Sequence, residues 1–151
     1  RLTRNVLDDK ELISLSQEKT LLDDYLQMEQ LRFGFKYEIN HSEDLDLGNI
    51  EIPSMLLQPF VENAVKHGIS QKASDGKIMI SWVKQANDLM LTVTDNGHGF
   101  VTEKKNNGLG LQLSDSRIEL LNNIYKENRF TLVIQSTTSG TKISLTLTDW
   151  L

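Results

Sequence analysis

The sequence contains no cysteine, which excludes disulfides and thiolate metal sites and suits a reducing compartment such as the cytosol. It has no apolar run approaching the roughly 20 residues that span a bilayer, and no signal-peptide pattern opens it. Basic runs are just as scarce. The longest is the pair Lys104-Lys105, and with a formal charge of −5 the chain offers no broad electrostatic footprint for nucleic acid. Proline occurs twice, at Pro53 and Pro59, and histidine three times, at His41, His67 and His98. Internal repeats and low-complexity linkers are absent.

What is present is the composition of a soluble globular domain: 38% hydrophobic and 25% charged residues in a chain of 151, enough to bury one core without disulfides or a structural metal. The opening RLTRNVLDD lacks an initiator Met and reads as the start of a fragment. Any membrane attachment is expected through segments outside this chain.

Hydrophobic period divides the chain. Residues 14–32 read as a helix, with Ser14 and Gln17 as a capping box, Leu21, Leu22, Tyr25, Leu26 and Met28 at three- and four-residue steps, and Gly34 as the stop. Residues 1–12 are polar and weakly periodic, and read as the tail of an earlier helix. Phe35, Tyr37 and Ile39 alternate with polar residues as in a half-buried strand, and Ile50-Glu51-Ile52 is expected to be its short partner. Residues 77–84 and 88–94 alternate likewise. A helix is expected over residues 111–125, then strands over 130–136 and 141–148. Each strand has one apolar face, which predicts a largely antiparallel sheet with helices on one side, a two-layer α+β sandwich with its other face wet.

Four stretches carry candidate chemistry. In LQPFVENAVKHG, residues 57–68, Pro59 is expected at the first helical position and Gly68 at the end. At about 100° per residue, Glu62, Asn63, Lys66 and His67 then share an arc of roughly 140°, opposite Phe60, Val61, Ala64 and Val65. Two readings fit this stripe. It is either a solvated face with a Glu62–Lys66 pair, or a set of ligands: an amide oxygen for a hard cation, an ammonium for phosphate, an imidazole, and a carboxylate to hold water.

In DNGHG, residues 95–99, Asn96-Gly97 carries a type I′ hairpin signal, but no alternating strand follows it. The other reading places Asp95 at a strand end as an acceptor for an exocyclic amine, with glycines that admit a flat ligand. Gly108-Leu109-Gly110-Leu111 precedes a helix. It is either a plain turn or a means of aiming N–H groups at phosphate; neither a Walker A pattern nor a full GxGxxG is present. Ser139-Gly140-Thr141 by itself reads as a hairpin turn.

Taken in order, VENAVKHG, DNGHG, GLGL and the final GT resemble the N box, G1 box, G2 box and terminal GT element of the GHKL ATPases: gyrase B, Hsp90, MutL and the histidine kinases. LQPFVENAVKHGI, with DYLQMEQLRF upstream and GLGLQLSDSRIELL downstream, is similar in particular to the LytS/YehU-type sensor histidine kinases. The resemblance covers residues 14–148. It implies the Bergerat fold, with a mixed, mostly antiparallel sheet. It also implies a division into residues 1–33, the end of a dimerising phosphoacceptor region with its connecting helix, and residues 34–151, the catalytic ATP-binding domain.

By that resemblance the cofactors are ATP and Mg²⁺. Asn63 would hold the metal, with Lys66 and His67 near the phosphates, and Asp95 would accept from the adenine amine beside Thr141. Gly97 and Gly99 would shape the adenine pocket. Gly108, Leu109, Gly110 and Leu111 would hinge a lid over residues 100–107 that offers Lys104 and Lys105 to phosphate. Gyrase B and Hsp90 relatives place a water-activating glutamate four residues before the asparagine, where this chain has Pro59. Glu62 sits next to Asn63 and projects about 100° away from it. That fits phosphoryl transfer to a side chain better than hydrolysis, with Glu62 assisting the acceptor or a metal-bound water.

The acceptor itself is missing. No segment resembles the family's NPHFLFN, and His41, His67 and His98 are not credible substitutes. The implied partners are an upstream phosphoacceptor hairpin of the same or a partner subunit and a response regulator, in a homodimeric protein of the bacterial inner membrane whose catalytic domain is cytoplasmic. The competing class is a non-catalytic nucleotide-binding scaffold of the same family.

Overall fold

The computed structural model describes residues 11–69, 72–97, 109–126 and 129–151. Strand β1 (Leu12–Ser14) leads into helix α1 (Leu15–Phe33), whose start is the expected capping box: Gln17 N–H donates to Ser14 Oγ at 3.1 Å and Ser14 N–H to Gln17 Oε1 at 3.0 Å. At the far end Gly34 takes the left-handed conformation and its N–H closes on Gln30 O at 2.8 Å. Leu12 thus lies in a strand rather than in a helix tail. The rest of that expected tail, residues 1–10, lies outside the described residues.

Strand β2 (Lys36–His41) and strand β3 (Glu51–Pro53) are not partners, contrary to expectation. β3 pairs antiparallel with β1, Ile13 opposite Ile52, while β2 runs parallel to β4 (Lys77–Gln85) with Ile39 opposite Ile80. Both short runs alternate, so period alone does not choose between partners. Pairing β2 with the longer, better buried β4 covers more apolar surface, and a three-residue strand ending in Pro53 has few N–H groups to offer a ladder.

The main sheet has the order β2-β4-β5-β7-β6, with β5 (Asp88–Asp95), β6 (Phe130–Thr137) and β7 (Gly140–Leu147); β2–β4 is its parallel pair and the other neighbours are antiparallel. Period-2 alternation drives Ile78, Ile80 and Trp82 of β4, Leu89, Leu91 and Val93 of β5, and Ile143, Leu145 and Leu147 of β7 into the core. Met79 and Val133 on the other face stay exposed, as a sheet with one solvated face requires. Leu15, Leu22 and Leu26 of α1 pack into the same core cluster.

Helix α2 (Gln58–Asn63) begins one residue before Pro59, which therefore takes the second helical position instead of the first. Either place is harmless, because the first turn of a helix has no N–H acceptors within it. At Ala64 the helix widens into a π-helical turn, Ala64–Ile69, and runs through Gly68 instead of stopping there. Helix α3 (Leu109–Ile124) starts two residues earlier than the apolar period indicated. The last three residues of GLGL consequently belong to its first turn.

Candidate functional site

The inward row of β5 reads Leu89, Leu91, Val93, Asp95, so the alternation that buries three apolar residues also carries a carboxylate to the helix-facing side at the strand's end. Directly opposite on β7 stands Thr141, and both side chains are 7% exposed. Burial pushes the Asp95 carboxyl above its ordinary range, while backbone N–H groups of Gly97 and Thr141 pull it back. The Gly97 N–H lies 2.8 Å from Oδ1. The Thr141 hydroxyl is shared with Ser136 at 3.0 Å.

The π-helical turn meets this carboxylate at Gly68. A Cβ there would stand 2.9 Å from Asp95 Cγ and Oδ1, so any side chain would displace the acid. Gly97 closes on the same residue: its Cβ would fall 1.9 Å from Gly68 O. The role expected for Gly68, a helix stop, is replaced by one of contact. The residue is small because the helix end and the strand end touch through it.

Asn96 has a structural task that the sequence did not disclose. Its Oδ1 accepts Lys77 N–H at 2.8 Å and its Nδ2 donates to Asp75 O at 2.9 Å, fastening the 3₁₀ turn Ala73–Asp75 and the start of β4 next to Asp95. Its pairing with Gly97, which resembles a hairpin signal, is the only local clue to it.

On α2, Asn63 is half-buried at the last α-helical residue, and Lys66 and His67 are exposed in the widened turn beyond it. Widening changes the angle between successive side chains, so the four polar residues do not form the regular stripe expected of an α-helix. Glu62 accepts Gln58 Nε2 at 3.2 Å and, with Lys66, lines a cavity of about 450 Å³ facing Tyr25, Glu29, Arg32 and Phe33 of α1. Burial, with the Glu29 and Glu62 carboxylates adding to it, raises the Tyr25 hydroxyl to about 12. Gly99, the whole expected lid over residues 100–107 with Lys104 and Lys105, and Gly108 lie outside the described residues; Leu109, Gly110 and Leu111 form the start of α3.

Residues 48–150 match the family described as Histidine kinase-, DNA gyrase B-, and HSP90-like ATPase. The chain belongs to that family. The ATPase match spans α2, β5, α3 and β7, whereas α1, which walls the cavity beside Glu62 and Lys66, precedes it. The chain is similar to Sensor histidine kinase BtsS of Escherichia coli strain K12, 34% identical over 115 residues that make up 76% of this chain and 20% of that protein. It is also similar to Sensor protein LytS of Streptococcus mutans, 33% identical over 138 residues, 83% of this chain and 24% of that one. It therefore spans about a fifth to a quarter of the length of these relatives. Among solved structures, the Acinetobacter baumannii histidine kinase AdeS superposes with a TM-score of 0.68 at 16% identity, covering 91% of this chain and 66% of AdeS. The catalytic domain of histidine kinase ThkA, nucleotide free, superposes at 0.63 and 13% identity, covering 92% and 96%. At such identities these two likenesses show the fold.

The residues present suit an adenine nucleotide. A carboxylate has about four lone-pair sites, and the two N–H donors on Asp95 leave acceptor capacity for an exocyclic amine. For a divalent cation the fit rests on donor chemistry. Among the described residues no three His, Cys, Asp or Glu side chains gather. The half-buried Asn63 offers one amide oxygen, a hard donor of the kind a phosphate-bound Mg²⁺ takes from protein.

Proposed function

We propose that the chain is the catalytic ATP-binding domain of a sensor histidine kinase, passing the γ-phosphoryl of ATP to a histidine nitrogen in an upstream helical hairpin and releasing ADP. The phosphohistidine then supplies an aspartate of a response regulator. Residues 1–33 form the connection to that hairpin and residues 34–151 the catalytic domain. The full-length protein is a homodimer anchored in the bacterial inner membrane by segments outside this chain, with this domain in the cytoplasm.

The observation that carries the reading is the buried Asp95 acceptor seated against Gly68 and Gly97, at the point where the N-box helix meets the sheet. Asp95 takes the adenine amine, and Thr141 holds the carboxylate's orientation through its N–H. Asn63 offers its amide oxygen to Mg²⁺, with Lys66 and His67 on the phosphate side. Held by Asn63, Mg²⁺ would supply neutralisation of the charge that develops during transfer. Lys104 and Lys105 contact phosphate from the lid, which Gly108 and Gly110 hinge. Pro59, where hydrolytic relatives have a glutamate, leaves water without its base and favours a side-chain acceptor.

Asn63→Ala is the direct test of the metal assignment. Removing a charge-assisted contact of this kind weakens Mg²⁺-dependent ADP binding about tenfold or more, read by calorimetry with and without Mg²⁺. An unchanged Mg²⁺ dependence refutes the assignment. The chain alone is expected to take up no label from γ-labelled ATP, whereas a supplied acceptor hairpin that docks on it becomes labelled on histidine.

A further inference from the structure

Glu18 is a carboxylate with 1% exposure, set in α1 among Leu15, Leu22 and Leu26. Its Oε2 accepts the N–H of Leu57, the residue that caps the start of α2, at 3.3 Å. From the other side Arg117 of α3 donates Nη1 to Met55 O at 2.8 Å and Nη2 to Ser54 O at 2.7 Å. The short turn 54–57 is therefore held by an acid from α1 and a guanidinium fork from α3. Met55 in that turn has φ 59, a left-handed conformation that is unfavourable for a side-chain-bearing residue and persists only where the surroundings impose it.

We propose that Glu18 is a positioning residue for the nucleotide: as a carboxylate it draws Arg117, and with it the helix that follows GLGL, onto the start of the N-box helix, and as a neutral acid it lets that helix loosen. The inference rests on the nucleotide reading above and adds a control to it. Three parts of the site depend on the turn 54–57: where α2 starts, where α3 lies against it, and where α1 enters from upstream. A buried acid that served packing alone would be replaced to advantage by an apolar residue, since an ion in the interior is costly unless paired.

Burial pushes the Glu18 carboxyl up to about 7, against the opposing pull of the Leu57 N–H and of Arg117. Its charge thus changes near neutral pH. Among the described residues, α3 contributes Arg117, and the turn 54–57 contributes backbone and the apolar Leu56 and Leu57. Glu62 of α2 is directed to Gln58 and the Tyr25 cavity, and Glu51 of β3 is exposed. The folded value lies above the ordinary 4.5, so the native state holds this proton longer than the unfolded chain. Stability associated with Glu18 is then full below about pH 4.5 and lost as pH rises through about 7. Affinity runs the other way, rising as the carboxylate forms.

The experiment compares wild type and Glu18→Gln in Mg-ADP affinity at pH 6 and pH 8.5, with thermal midpoints at both. Taking the ratio between proteins at one pH cancels the nucleotide's own titration. The ratio is expected near one at pH 6 and about fivefold in favour of wild type at pH 8.5, while Glu18→Gln melts higher than wild type at pH 8.5. A ratio that stays the same at both pH values overturns the inference. Wild type that fails to bind Mg-ADP at either pH refutes the nucleotide reading instead. Should Glu18→Gln not fold, Arg117→Gln answers the same question: a ratio of wild-type to Arg117→Gln affinity that is larger at pH 8.5 than at pH 6 supports the coupling, and an equal ratio at both overturns it.

Discussion

Asp95→Asn is expected to reduce ATP affinity about thirtyfold and to erase the preference for ATP over GTP, while the melting temperature stays within about 4 °C of wild type. The expectation follows from what Asp95 already does in the folded chain. Its carboxylate accepts backbone N–H groups from Gly97 and Thr141 on the helix-facing side of the sheet, and its remaining lone pairs are the only charge it has to offer a ligand amine. An amide in its place turns an NH₂ toward donors, so one N–H loses its acceptor and the adenine amine meets another donor. A hydrogen bond to a charged group contributes roughly 1.5–3 kcal/mol, a factor of about ten to a hundred and fifty in affinity.

Stability responds differently. Burial raises the Asp95 carboxyl, so the native chain retains its proton to higher pH than the unfolded chain, and the associated stability is lost as pH rises through the native value. A neutral amide escapes that loss, which offsets the acceptor it gives up. Competition binding with ATP and GTP separates the two effects. An intact ATP preference in Asp95→Asn means that the base is read elsewhere.

Gly97→Ala is expected to have the largest effect on the fold itself: about 3 kcal/mol lost, a melting temperature lower by roughly 6–12 °C, and nucleotide binding lost with it. The methyl would stand 1.9 Å from Gly68 O, a backbone atom that no rotamer change can move aside. Relief requires separating the π-helical turn from the end of β5. That moves Gly68 off the Asp95 carboxylate and dismantles the site. Gly48→Ala is the matched control, because its Cβ meets nothing nearer than Asp46 Oδ1 at 3.8 Å. If the two variants melt together, the close approach between the N-box helix and the strand end is wrong.

How far the sequence discloses this molecule depends on the range of the interaction concerned. The capping box at Ser14 and Gln17 and the stop at Gly34 are contacts within one turn, and both appear where the residues placed them. The alternation along β4, β5 and β7 reports burial directly, so the two-layer architecture was legible as well. Partner choice was not. β3 and β2 carry equivalent short alternations, and only the three-dimensional competition for β4 and β1 decides where each pairs.

The site divides in the same way. Asp95 was legible as a strand-end acceptor, its burial on the helix-facing side came with the structure, and the order of the four motifs pointed to the family. The widening at Ala64 was not legible, since nothing in AVKHGI distinguishes a π-helical turn from an α-helical one until Gly68 meets Asp95. Glu18 was hidden for a related reason. In sequence it is one polar residue among many on α1, and its burial depends on Leu57 and Arg117, 39 and 99 positions away by number. Asn96 was masked by its own motif, where the local turn preference obscures a clamp on Asp75 and Lys77.

The parallel pairing of β2 with β4 bears on how the domain comes together in time. β4 and β5 meet across a two-residue turn, and β6 and β7 across another, so these hairpins close with little loss of chain entropy. β2 reaches β4 only after residues 42–76, which include β3, α2 and the π-helical turn, have been looped back over the sheet. Like the β5–β7 ladder, this contact joins residues far apart in sequence and closes a large loop, at a greater entropic cost than either hairpin. The Asp95–Thr141 pair of the site lies on the β5–β7 ladder, and contacts of this kind that form after the main barrier act on the unfolding rate and little on the folding rate. Nucleotide bound there is expected to act as a kinetic latch, slowing unfolding without hastening folding.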